Sequence, residues 1–393
     1  MFSSLLDDSY DSDVRRSIAA LTAAKIGANS ALRFAPPFIA TIASGLDVNL
    51  TTLGTAIAIG ELSGLSGPLI TRFAGGVARR TAMCVGLLGI ALGASVAATS
   101  TAVFQFAAGL VLMTTAKLIF DVGVISWLTD RVPYSKIGRA VGLTETAWAG
   151  GLFIGVVLMG LLTGLTSWRW GYVLAIVAVV CLAAILRRRL PDEQPPPRLS
   201  RAEHRDRMPL GAGRMVVFGT FALAAASQTV FVTFGKWLEN DFGFSNTKVA
   251  VVVFCLGGIE LVAATSTVRF ADRWGKQRST MYGSLVMVPA AVLLSVLDTS
   301  LAPALVVLAL FVCAFEFSII ATLSLASSLI PDRPSTGLGF MVAAATLGRG
   351  AVSPLATATY THFGMSRVAM IGGACAAASA ACQWRYRTLR GIS

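Results

Sequence analysis

A chain of 393 residues with 55% hydrophobic and only 13% charged side chains is not an ordinary soluble domain, which carries roughly 25% charge; its excess apolar surface has to face lipid. The formal net charge of +12 would suit a nucleic-acid partner, but the placement of the basic residues argues against one. No G-x-x-x-x-G-K-[ST] phosphate loop occurs in the chain, so ATP is not expected to drive it directly.

Twelve apolar segments are long enough to cross about 30 Å of hydrocarbon at about 1.5 Å per residue. They are 17–43, 51–71, 80–99, 102–128, 140–162, 170–186, 215–238, 247–268, 279–297, 301–325, 335–360 and 366–384. Ahead of the first lie Asp7, Asp8, Asp11 and Asp13, and the first span is too long for a signal h-region, so no cleavable signal is expected. Arg15 and Arg16 read as its inside anchor. With that end in the cytosol, the inside connections collect Arg72, Arg79, Arg80, Arg131, Lys136, Arg139, Arg269, Arg273, Lys276, Arg278 and Arg333, and the inside C-terminus adds Arg385, Arg387 and Arg390. The outside connections hold only Arg169, Lys236, Lys248 and Arg367. Retained positive charge puts both termini in the cytosol and accounts for the basic character without nucleic acid.

Between the sixth and seventh spans, Arg187 to Arg214 holds eight arginines and Pro195-Pro196-Pro197, a cytosolic linker by composition. It divides 1–186 from 215–393, six spans from six. The six cysteines all fall in apolar segments, which predicts reduced packing residues and no disulfides. His204 and His362 lie in loops, so neither a metal site nor any other cofactor is expected. Asn49-Leu50-Thr51 is a glycosylation sequon in an outside loop. Arginine far outnumbers lysine in an Ala- and Gly-rich chain; this suggests a bacterial inner (plasma) membrane and makes the sequon a chance match.

A repeat relates the halves. Arg72-Phe73-Ala74-Gly75-Gly76-Val77-Ala78-Arg79-Arg80 aligns with Arg269-Phe270-Ala271-Asp272-Arg273-Trp274-Gly275-Lys276-Gln277, half a chain length later. Each copy is a basic connection between two spans, as in a duplicated transporter. The second copy resembles the loop signature G-x-L-x-D-R-x-G-R-[RK] of the major facilitator superfamily; the first copy lacks its carboxylate. Lys117 to Gly123 sits where that family often has R-x-x-Q-G-x-G. Gly151-Leu152-Phe153-Ile154-Gly155 is similar to the start of its antiporter signature, with Val156 in place of the proline. Trp168-Arg169-Trp170 and Phe234-Gly235-Lys236-Trp237-Leu238-Glu239 resemble its drug and metabolite exporters. The resemblance implies an all-α membrane protein of twelve transmembrane helices in two pseudo-symmetric six-helix bundles. It also implies that Asp272 and Arg273 take part in a cytosolic lock.

Ionisable residues within spans are costly, about 2.5–3.5 kcal/mol each on insertion scales. The chain places Lys25 and Arg33 in the first span, Lys117 and Asp121 in the fourth and Arg349 in the eleventh. Glu61, Glu145, Glu260 and Glu316 fall in the second, fifth, eighth and tenth. Mutual neutralisation that fixes packing competes with function for every one of them. Lys117 and Asp121, four apart, share a helix face. The resemblance implies that spans one, four, seven and ten line a cavity, which would gather Arg33, Lys117, Asp121 and Glu316. Glu316 and then Asp121 are the proton-coupling candidates. Arg33, Lys117, Phe231 and Phe234 are candidates for contact with substrate. Glu61 and Arg349 would form an interdomain salt bridge, and Glu145 would join a gate around Arg273. Glycines Gly60, Gly64, Gly67, Gly151 and Gly155 would let helices approach closely.

The expected protein is a monomeric secondary transporter in the lipid bilayer, exporting a small organic molecule against a proton or Na⁺. Symport or exchange of an anionic or zwitterionic metabolite, favoured by the bases Arg33 and Lys117, is the alternative. A membrane-embedded enzyme or a sensor is a third class, without a histidine or a nucleophile–base pair in any span to support it.

Overall fold

The structure, a computed structural model, describes residues 10–67, 70, 77–191, 211–326 and 334–390. Side chains are described for all of these except 134–139, 268–273, 324, 326, 334–336 and 338. Among the described residues every regular element is a helix. Among the described residues nine helices are long and apolar enough to cross a membrane, ten if the bent pair Ile39–Gly45 and Leu50–Ser66 counts as one. Two features reconcile this with twelve spans. Ser12–Arg33 carries Asp13, Arg15, Arg16, Lys25 and Arg33, too many charges to count among these, and Pro334–Arg390 is two helices joined at Gly364.

Local chemistry sets the boundaries. The first helix starts at Ser12 because the Asp11 side chain accepts from the Asp13 N–H at 2.7 Å, a cap for an otherwise orphan donor. It ends at Arg33, and the chain becomes helical again only over Ile39–Gly45. Pro36 and Pro37 explain the break: each lacks an N–H and disfavours helix in the residue before it. The expected continuous span 17–43 is therefore two pieces. Asn49, the sequon asparagine, accepts from the Thr52 N–H at 2.7 Å and caps Leu50–Leu62.

The fifth span is also interrupted. Tyr134–Glu145 stops at Thr146, Ala147–Gly150 makes a single turn, a π-helical segment covers Gly151–Val156, and Val157–Leu165 completes the crossing. The connection carrying the second repeat proves to be a single residue. Asn246–Trp274 runs to Gly275 at φ 86°, and Lys276–Leu297 begins immediately after it. Only glycine adopts such a φ readily. Residues 68, 69, 71–76 and 192–210, which hold most of the first repeat and much of the linker, lie outside the described residues.

By contacts the chain forms two compact units. One comprises residues 1–34 and 66–201; the other comprises 35–65 and 202–393. The segment 35–65 thus belongs to the first half by sequence and to the second unit by packing. Its helix Leu50–Leu62 lies against Pro334–Arg390. A Cβ on Gly54 would overlap the Thr357 side chain, and one on Gly350 would meet Leu62 Cγ at 2.6 Å. In the first unit, Phe34, Phe106, Trp168 and Tyr172 stack edge to face, Phe34 and Tyr172 at 5.1 Å between centroids. Trp168 and Arg169 therefore have structural partners: the guanidinium lies over the Trp168 ring at 4.4 Å and donates to the Ser100 carbonyl at 2.8 Å.

Candidate functional site

In the first unit, the polar face of the first helix grips the broken part of the fifth span. Lys25, Asn29 and Arg33 recur at four-residue spacing and so share one helix face. Lys25 Nζ lies 2.5 Å from Glu145 Oε1. Asn29 Nδ2 donates to the Ala147 carbonyl at 3.0 Å, and Ser30 Oγ to the Gly151 carbonyl at 3.2 Å. Arg33 Nη1 donates to the Trp148 carbonyl at 2.8 Å, its guanidinium 4.4 Å from the Trp148 ring centroid. The first helix thus donates to carbonyls around the change from α- to π-helical bonding at Gly151. It comes close enough because a Cβ on Gly151 would meet Asn29 Cβ at 2.8 Å and one on Gly155 would overlap Ser30 Oγ. That is the close approach expected of Gly151 and Gly155.

Lys117 and Asp121 form an ion pair along one face of Val103–Thr129, through Asp121 Oδ2. The other oxygen, Oδ1, is buried and accepts no hydrogen bond among the described residues. Asp121 is also within Coulombic reach of Lys25, after Glu145. Two ammoniums and two carboxylates thus make one neutral cluster across the first, fourth and fifth spans. Its members are unequally exposed: the Lys25 side chain is 5% exposed and Glu145 42%.

In the second unit, Arg349 Nε donates to Glu61 Oε2 at 2.9 Å, with the two side chains 27% and 30% exposed. Glu316, on Leu301–Ala326, is buried at 3%. Phe231 and Phe234 lie 5.6 Å apart, on either side of the break that divides Ala212–Phe231 from Phe234–Phe242. A Cβ on Gly235, next to that break, would overlap the Pro37 carbonyl. The broken seventh span and the broken segment at Pro36-Pro37 therefore touch backbone to backbone. Thr41 donates to Asn246 Oδ1 at 2.6 Å nearby. The Asp272 and Arg273 side chains lie outside the described residues.

The Glu145 carboxylate holds Lys25; Arg273, with which the sequence groups it, has its side chain outside the described residues. Lys25, Asn29 and Trp148 were not singled out as a site, although the spacing of Lys25, Asn29 and Arg33 on one face was a signal that this face meets polar groups. Among the described residues no three His, Cys, Asp or Glu side chains converge as a metal ion would need.

Comparison with known proteins fits this arrangement of spans. Residues 20–354 match the family model described as Major Facilitator Superfamily. The chain is 26% identical over 371 residues to the uncharacterized MFS-type transporter YwfA of Bacillus subtilis (strain 168), a match covering 90% of this chain and 87% of that protein. Among solved structures it superposes on a D-xylose-proton symporter with a TM-score of 0.77 at 16% identity, covering 95% of this chain and 97% of that one. A bacterial homologue of the human lysosomal transporter Spinster, inward-facing and unoccupied, gives 0.76 at 13% identity, covering 97% and 98%. The human organic anion transporter MFSD10 gives 0.70 at 17% identity, covering 94% and 99%.

Proposed function

The chain belongs to the Major Facilitator Superfamily, a multi-pass membrane carrier and not an enzyme, and from that premise we propose that it exports a small organic molecule in exchange for protons by alternating access. The observation that carries the proton reading is the burial of Glu316 at 3% exposure inside Leu301–Ala326. A carboxyl group so far from water responds strongly to whatever charge or solvent is brought beside it, which is the property a proton carrier needs. The export direction is supported by Gly151 and Gly155, the part of the antiporter signature that is present, seated on Asn29 and Ser30. We place the protein as a monomer in a bacterial plasma membrane with both termini in the cytosol, on the distribution of its basic residues.

The second reading is symport or exchange of an anionic or zwitterionic metabolite, for which Arg33 and Lys117 are the bases. It ranks lower because Arg33 is engaged by the Trp148 carbonyl and ring, and Lys117 by Asp121.

Ethidium accumulation in an efflux-deficient bacterium, with and without a protonophore, tests the reading. Expression is expected to lower accumulation, and both the protonophore and Glu316→Gln to abolish the difference. Unchanged accumulation with the protein present in the membrane would favour the anionic reading. Loss of the effect with the protonophore but not with Glu316→Gln would move the proton to another carboxylate.

A further inference from the structure

The cluster of Lys25, Glu145, Asp121 and Lys117 is built as a switch. We propose that the Lys25 ammonium has two positions, one on Glu145 and one on Asp121, and that Glu145 takes up and releases a proton, distinct from the one carried by Glu316, that moves it. This deepens the proton-coupled reading and rests on it.

Three observations carry the inference. First, the pair is unequally exposed, with Glu145 at 42% and Lys25 at 5%. The carboxylate is open at the protein surface, whereas the ammonium is enclosed by protein. Second, protonation adds H⁺ to a Glu145 oxygen and changes nothing else covalently; the ion pair becomes an ammonium facing a neutral acid. A buried ammonium left without a counter-charge is strongly disfavoured. The other carboxylate whose field reaches Lys25 is Asp121, and its Oδ1 is a buried acceptor with no hydrogen bond, while Oδ2 is held by Lys117. The flexible four-carbon stem of lysine lets the charge move without the helix moving.

Third, Thr146 lies between this pair and the rest of the grip. Beyond it, Asn29, Ser30 and Arg33 hold the carbonyls of Ala147, Gly151 and Trp148. Before it, Lys25 to Glu145 is the described polar tie from the first helix to Tyr134–Glu145. Transfer of Lys25 to Asp121 therefore removes that tie and leaves 147–165 fastened.

The charged groups that face Lys25 are Asp121 and Lys117 from the fourth span, Glu145 from the fifth and Arg33 from its own helix. The other described charges on the helices packed around it, Arg79, Arg80, Asp130, Arg169 and Arg187 to Arg189, sit near the helix ends. Protonation takes the four-membered cluster from neutral to one net positive charge. The protonated form repels a cationic solute and the deprotonated form tolerates it, the sign required to exchange H⁺ for a cation.

The test is nuclear magnetic resonance of the full chain in nanodiscs, with lysine isotopically labelled at Cε and Nζ. Lys25 is assigned by Lys25→Arg. Across a pH titration the Lys25 signal is expected to move between two values. Glu145→Gln should hold it at the low-pH value at every pH, and Asp121→Asn should remove that value. Asp130→Asn, altering an exposed carboxylate at the end of the fourth span, should change nothing. A Lys25 signal indifferent to pH, or one that titrates unchanged in Glu145→Gln, overturns the proposal; should that variant fail to fold, an unchanged titration in Asp121→Asn overturns it equally. Chemical shifts are read without any transported substrate. The two-position signal in a protein that moves no ethidium would support the switch while defeating the export reading.

Discussion

Two acid–base pairs tie together spans distant in sequence, and they differ in burial. In Glu61–Arg349 the partners are almost equally exposed, at 30% and 27%; in Lys25–Glu145 one is at 42% and the other at 5%. An evenly exposed pair can be opened from either side. Such pairs contribute little to stability and suit a contact that must form and break. The uneven pair has no such freedom, because its lysine loses its counter-charge without gaining water. It opens only if another anion receives the ammonium. The comparison separates a latch from a switch, and burial of the cation decides which is which.

The largest expected effect tests the uneven pair. Glu145→Leu with Asp121→Asn removes both counter-charges from a buried ammonium and should lower stability by about 3 kcal/mol, read as a fall in thermal unfolding midpoint in detergent. Adding Lys25→Met should restore most of the loss, and a silent double variant would erase the distinction between the pairs. A smaller effect is expected where the first helix meets the fifth span. Gly155→Val drives a side chain into Ser30 and should cost about 1–3 kcal/mol, eased by Ser30→Gly in the same assay. Smallest is the even pair: Arg349→Gln should change the unfolding free energy by about 1 kcal/mol or less. Its effect should fall on transport instead. Glu61→Arg combined with Arg349→Glu should regain what either reversal loses, and an unrescued swap would show that the bridge does not act as a latch.

Much of the architecture was legible because apolar length and basic flanks are written directly into a membrane chain. Lys117–Asp121 was legible too, since i,i+4 spacing on a helix fixes proximity. Glu61 and Arg349 were brought together by the family resemblance, not by spacing. The Lys25–Glu145 contact was hidden for a physical reason. It depends on a helix break at Thr146 and a π-helical segment over Gly151–Val156, neither of which interrupts the run of apolar residues. Pro36-Pro37 announced the break in the first span, yet hydropathy alone ran through it. Nor does the repeat announce that segment 35–65 packs with the second unit, because duplication records ancestry and says nothing of which helices finally touch.

The single-residue connection at Gly275 has a consequence for how the protein is made. Asn246–Trp274 and Lys276–Leu297 are joined without slack. Once the first has crossed the translocon, the nascent chain must turn back at once, so the two enter the bilayer as a hairpin. Lys276 and Arg278 lie directly beside that turn.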